Sequence, residues 1–235
     1  MLRFLGRGSA FSDEHNSALM VCGDELILID CPMSAFVKLK KLDLSRFSAI
    51  KILITHTHSD HISGIAMLID YEYFIGHIPV TVIAPSSEVM KDMHFALSRL
   101  DGCEDDWYKL VTASDSGLDI IKAVIPTTHA PSLEGRCFGY YLKGSGCDLV
   151  YTGDSVSLDP FIPYLKPGDQ LYTEAAAYRS AVHMYIGDIR DTLKRLTSEG
   201  ISIFLMHMDN EDEIMKIASD TGAAPAPLLD TEDFI

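Results

Sequence analysis

A nearly unbroken apolar run at residues 50–54 is followed at once by His56-Thr57-His58-Ser59-Asp60-His61, and no other stretch restricts this chain as much. The apolar run reads as a strand covered on both faces. Three imidazoles and a carboxylate at its end are poor core material but good metal ligands. Neutral imidazole and carboxylate suit zinc, manganese or iron, whereas the thiolates that mark a closed structural zinc site are absent from the motif. Alternate residues of an extended segment point the same way, so His56 and His58 can grip one ion. Asp60 and His61 fall where the chain turns into the next element and aim at a second point nearby.

One loop cannot complete a metal site, so the remaining ligands must come from elsewhere. His129 follows a β-branched run at residues 120–128, His207 follows the run at 201–206, and Asp154 closes residues 148–154. Binding groups gather at strand ends, where loops carry the chemistry and the sheet holds them rigid. Singly, each has an ordinary structural role as an alternative. Together with the first motif they make a set of five histidines and two aspartates.

With these residues in view, the chain resembles the metallo-β-lactamase superfamily, whose signature is His-x-His-x-Asp-His. The resemblance covers most of the length and implies an α+β fold, a four-layer αββα sandwich with two mixed sheets flanked by helices. It implies that His56, His58 and His129 hold one metal ion, that Asp60, His61 and His207 hold another, and that Asp154 and a hydroxide bridge them. Zinc is the first expectation for both divalent ions, with manganese or iron as alternatives. Within the superfamily, residues 4–10, Phe138-Gly139-Tyr140 after His129, and Thr173-Glu174-Ala175 followed by His183 are similar to the ribonuclease Z branch. That branch has a His-Glu-Ala-Thr segment and a later histidine that relay a proton. Here Thr173 and Ala176 depart from the segment, while Glu174 and His183 match, which makes them the candidate catalytic pair beside Asp60.

Composition narrows the substrate. The net charge is −15, with 19 basic residues against 34 acidic ones, and no basic cluster interleaves with aromatics. Nucleic-acid affinity comes largely from Lys and Arg neutralising phosphates. The ribonuclease Z arm that holds tRNA would lie between His129 and Asp154, where 24 residues leave no room for it. A small-molecule or short phosphodiester substrate is therefore expected and structured tRNA is not. The function expected is that of a dinuclear metal-dependent hydrolase, a phosphodiesterase using the bridging hydroxide, with His183 as general acid oriented by Glu174. The alternative is a carbonyl-centre hydrolase of the same fold, a lactonase or thioesterase. A di-iron redox member is disfavoured because this chain keeps His58.

The 235 residues carry no Pro/Gly/Ser-rich linker, so one hydrolase domain over 1–235 is expected. Five cysteines without paired short spacing, and no signal peptide at Met1-Leu2-Arg3-Phe4, read as reduced thiols in a cytoplasmic protein. No apolar run is long enough to cross a bilayer. Periodicity predicts strands at 2–5, 18–22, 25–29, 50–54, 80–84, 109–113, 118–126, 136–143, 149–152, 170–173 and 201–206. Helices are predicted at 33–42, 62–69, 86–100, 188–197 and 211–219. Asp30 reads as a structural strand-end residue rather than a ligand. Tyr71, Tyr73, Phe74 and Trp107 could line a cleft or the face of a homodimer, with ordinary packing as the plainer role.

Overall fold

The computed structural model describes residues 1–230. Its contacts group into two compact units. The first holds residues 2–6, 13–117 and the segment from Leu228, and the second holds Met1, 7–12 and 118–227.

The first unit is built on strands β1 (Arg3–Gly6), β2 (Ser17–Cys22), β3 (Glu25–Ile29), β4 (Ala49–Leu53), β5 (Val80–Ala84) and β6 (Lys109–Thr112), hydrogen-bonded in that order. β1–β2 and β2–β3 pair antiparallel, and the remaining pairs are parallel. Helices α1 (Met33–Leu39), α2 (Ser59–Ile62), α3 (Ile65–Tyr71) and α4 (Ser87–Phe95) connect them. The β2–β3 hairpin turns at Gly23, whose φ of 63° is what a two-residue loop demands. β3 shows why central parallel strands read as continuous apolar runs. Leu26, Ile27, Leu28 and Ile29 are all fully buried.

The second unit repeats this wiring. β7 (Ile121–Thr127), β8 (Cys137–Lys143) and β9 (Asp148–Tyr151) pair antiparallel, then β10 (Gln170–Glu174), β11 (Ser202–Met206) and β12 (Ala224–Pro225) continue in parallel. Helix α5 (Ile186–Ser198) buries Ile186, Ile189, Leu193 and Leu196, one stripe at helical spacing. These join Val150, Phe161, Leu171, Ile203 and Leu205 in the unit's core, against which Met215 of α6 (Glu211–Ile217) also packs. The expected α+β class, two mixed sheets with flanking helices, is what the chain adopts.

Differences from the sequence reading have local causes. The helix expected at 62–69 is two pieces, broken at Gly64, where a Cβ would lie 2.5 Å from Pro32 O. Residues 86–100 do form helix, capped by Ser86 Oγ accepting from Val89 N–H at 3.3 Å, but the last turn, Ala96–Leu100, is π-helical. Beyond the predicted helix, where no element was expected, α3 runs on into a second π turn, Glu72–Gly76. β12 was not foreseen, because two residues carry no periodicity. Among the described residues no helix is long and apolar enough to cross a membrane.

Candidate metal centre

The first unit contributes the loop between β4 and α2. Thr55, His56 and His61 are fully buried, and His58 and Asp60 are partly exposed. The scaffold for this loop is Asp30, itself fully buried at the end of β3 with a φ of 58°. Thr55 donates to both Asp30 oxygens, through its backbone N–H at 2.8 Å and its hydroxyl at 2.7 Å. His61 Nδ1 donates to Asp30 Oδ2 at 2.7 Å. With its proton directed at Asp30, the Thr55 hydroxyl oxygen accepts from His56 Nδ1 at 3.0 Å. Both histidines therefore carry their proton on Nδ1, which leaves the Nε2 lone pair for a ligand.

These ligand atoms face one another. His56 Nε2 and His58 Nδ1 stand 3.0 Å apart, and His61 Nε2 and Asp60 Oδ2 stand 3.4 Å apart. The neighbouring Cys31 thiol is pushed far up by burial and by the charge of Asp30, so it supplies no thiolate.

The second unit contributes His129 after β7, Asp154 after β9, Glu174 at the end of β10, His183 from the loop before α5, and His207 after β11. His129, Asp154, Glu174 and His207 are buried, and His183 is half-buried. His129 Nδ1 donates to Val182 O at 2.6 Å, which again leaves Nε2 as the lone-pair nitrogen. His129 Nε2 and His207 Nε2 lie 3.6 and 3.4 Å from the same oxygen, Asp154 Oδ2. Those separations exceed an N–H···O hydrogen bond. They do match neighbouring ligands of one tetrahedral cation, about 3.4 Å apart when each bond is about 2.1 Å. The donor set and its spacing thus fit divalent metal.

Glu174 is tied at both oxygens. The Ser155 backbone N–H donates to Oε1, and His183 Nδ1 donates to Oε2 at 2.7 Å. Burial pushes the Glu174 carboxyl up, the His183 hydrogen bond draws it back, and the charge of Asp154 raises it again. His183 lies 3.9 Å from Asp154 Oδ2, and its ring lies 4.9 Å from His129 and 5.2 Å from His207. Within the second unit His129, Asp154, Glu174, His183 and His207 are thus neighbours, and within the first unit so are His56, His58, Asp60 and His61.

Sequence reasoning missed the supports: Thr55, Val182 O, the Ser155 N–H, and Asp209, whose Oδ1 accepts from Ala177 N–H at 2.7 Å. Asp30 was read as structural, and its acidic side chain at a strand end was the signal for its hold on His61. Tyr73, Phe74 and Trp107 form an aromatic cluster, with Tyr73 and Trp107 stacked at 5.1 Å.

A family model described as Anti-Pycsar protein Apyc1 matches residues 1–224. The Anti-Pycsar protein Apyc1 of Bacillus phage BSP38 is 26% identical over 234 residues, 90% of each chain. The ribonuclease Z of Alkaliphilus oremlandii is 30% identical over 151 residues, covering 57% of this chain and 48% of that protein. Among solved structures, the metallo-β-lactamase fold protein YhfI from Bacillus subtilis superposes with a TM-score of 0.74 at 19% identity over 97% of each chain. The fold is that of the metallo-β-lactamases.

Proposed function

Since this chain belongs to the Anti-Pycsar protein Apyc1 family, we propose that it is a metal-dependent phosphodiesterase that hydrolyses a small phosphodiester of the cyclic-nucleotide class. The observation that carries the reading is the donor set: imidazole and carboxylate atoms at ligand spacing, with the opposite nitrogens of His56, His61 and His129 already hydrogen-bonded. His56, His58 and His129 would hold one divalent ion, Asp60, His61 and His207 a second, and Asp154 would be shared. Zinc is the first candidate for both, with manganese or iron as alternatives. When bound, the ions supply an acidified water and neutralise the charge of a phosphodiester.

The chain's own residues complete the chemistry. An alkoxide leaving phosphorus is basic and needs a proton. His183, held through Nδ1 by Glu174 at 2.7 Å, can deliver one from Nε2 while the Glu174 carboxylate stabilises the imidazolium. The Ser155 N–H fixes the other Glu174 oxygen, so the carboxylate that orients His183 is held at both ends. Thr55 and Asp30 keep the first ligand loop in its tautomers. The charge of −15 disfavours a long polyanion and favours a small substrate. We assign the chain as one hydrolase domain working in the cytoplasm.

The test is a substrate panel on zinc- or manganese-loaded protein: a 3′,5′-cyclic nucleotide, bis-p-nitrophenyl phosphate, an acyl-homoserine lactone and a glutathione thioester. Turnover of the two phosphodiesters above the carbonyl substrates is expected. Cleavage of a carbonyl substrate alone would transfer the assignment to the lactonase or thioesterase reading. His183→Ala should slow the cyclic nucleotide by about 10²–10⁴-fold while affecting p-nitrophenolate release far less, since that leaving group needs little protonation. Equal losses on both would remove the acid role.

A further inference from the structure

His207 leaves β11 with a φ of 49°, a left-handed backbone that a non-glycine residue adopts only under constraint. The constraint is visible on both sides of the turn. Upstream in the chain, residues 7–9 run beside it: Met208 N–H donates to Arg7 O at 2.9 Å, and Ser9 N–H donates to Met208 O at 3.1 Å. Downstream, Asn210 caps α6 by accepting from Glu213 N–H at 3.2 Å, and Glu211 opens the helix.

The Arg7 guanidinium joins these two sides. Its Nε and Nη2 donate to the two oxygens of Glu211 at 2.8 and 2.6 Å, and Nη1 donates to Ala226 O at 2.6 Å. One side chain thereby fastens the segment that pairs with Met208 to the start of α6 and to the residue just after β12, closing a ring around residues 207–211. Arg7 is 21% and Glu211 40% exposed, so the hold rests on the two-pronged geometry and the third bond rather than on burial. A lysine could not supply the two-pronged bond together with a third donor in the fixed plane.

We propose that Arg7 is a positioning residue for His207: the fork to Glu211 and the bond to Ala226 O hold the turn left-handed and keep Nε2 3.4 Å from Asp154 Oδ2. This rests on the reading of His207 as a metal ligand. Supports that orient a ligand typically change metal affinity by about 10–100-fold when removed.

The experiment uses the full chain and zinc affinity measured by chelator competition, with the visible absorption of the cobalt form as a second readout. Arg7→Ala, Arg7→Lys and Glu211→Gln are compared with His207→Ala and with Arg190→Ala, which breaks a surface ion pair elsewhere in the unit. Arg7→Ala and Arg7→Lys should weaken one zinc equivalent by about 10–100-fold and alter the cobalt spectrum, with Glu211→Gln milder. Arg190→Ala should change neither. If His207→Ala loses one equivalent while both Arg7 variants keep wild-type affinity and spectrum, the positioning role is overturned. If His207→Ala keeps both equivalents, the ligand reading itself fails. Should Arg7→Ala not fold, Arg7→Lys and Glu211→Gln decide the matter on the same outcomes.

Discussion

Asp30 organises the first candidate ligand loop through its hydrogen bonds. Its two oxygens take three hydrogen bonds, from Thr55 N–H, Thr55 Oγ1 and His61 Nδ1, all in a fully buried setting. A buried carboxylate in that arrangement fixes the tautomer of His61 and raises the basicity of Nε2. Asp30→Asn keeps the shape but exchanges an acceptor for an NH2 donor. That variant should bind zinc about 10–100-fold more weakly, with near-wild-type far-ultraviolet circular dichroism. Unchanged affinity in chelator competition would reduce Asp30 to a packing residue. The candidate ligand residue types were legible in sequence because imidazoles and carboxylates at strand ends have few other uses. Their supports were not. A threonine hydroxyl, a valine carbonyl and a serine N–H become specific only once the chain has folded around them.

Among the elements, the exits of β3, β9 and β11 each pass through a left-handed residue, Asp30, Gly153 and His207 respectively. Each turn delivers a buried polar side chain, Asp30, Asp154 or His207, at a strand end. The strands themselves were readable from apolar runs. The left-handed exits at Asp30 and His207 were not, because neither is glycine. Helix α5 shows how surface charge is organised. Arg190 and Lys194 both pair with Asp220, and Arg190 Nε donates to its Oδ1 at 2.9 Å. Those partners hold the Asp220 carboxyl down from 3.8 to about 2. A depressed carboxyl contributes stability that is full above its unfolded value and lost as pH falls through its folded value. The difference in Tm between wild type and Asp220→Asn, about 1–3 °C near pH 6, should therefore shrink between pH 4 and pH 2. A difference that stayed constant to pH 2 would show that the ion pair contributes nothing.

Over the whole molecule, a net charge of −15 repels any anionic substrate at a distance. Screening that field should help association. We expect kcat/KM for a cyclic nucleotide to rise, by about 2-fold or more, as ionic strength goes from about 0.02 to 0.2 M, because the Debye length contracts toward 8 Å. A steep fall over the same range would mean that a local basic surface dominates substrate capture. The same field argues that structured tRNA will not be retained at about 0.15 M salt, which a filter-binding measurement can check.

The sequence by itself determined the class of fold and the identity of the candidate ligands. Apolar runs of strand and helix period dictate what must be buried, and clustered histidines and aspartates have a narrow chemistry. Tertiary structure alone decided which nitrogen of His56, His61 and His129 the protein itself engages, where the backbone turns left-handed, and that Arg7 closes on Glu211, 204 positions away in the chain. Those outcomes depend on distances and angles between groups far apart along the polymer, and periodicity carries information only about near neighbours.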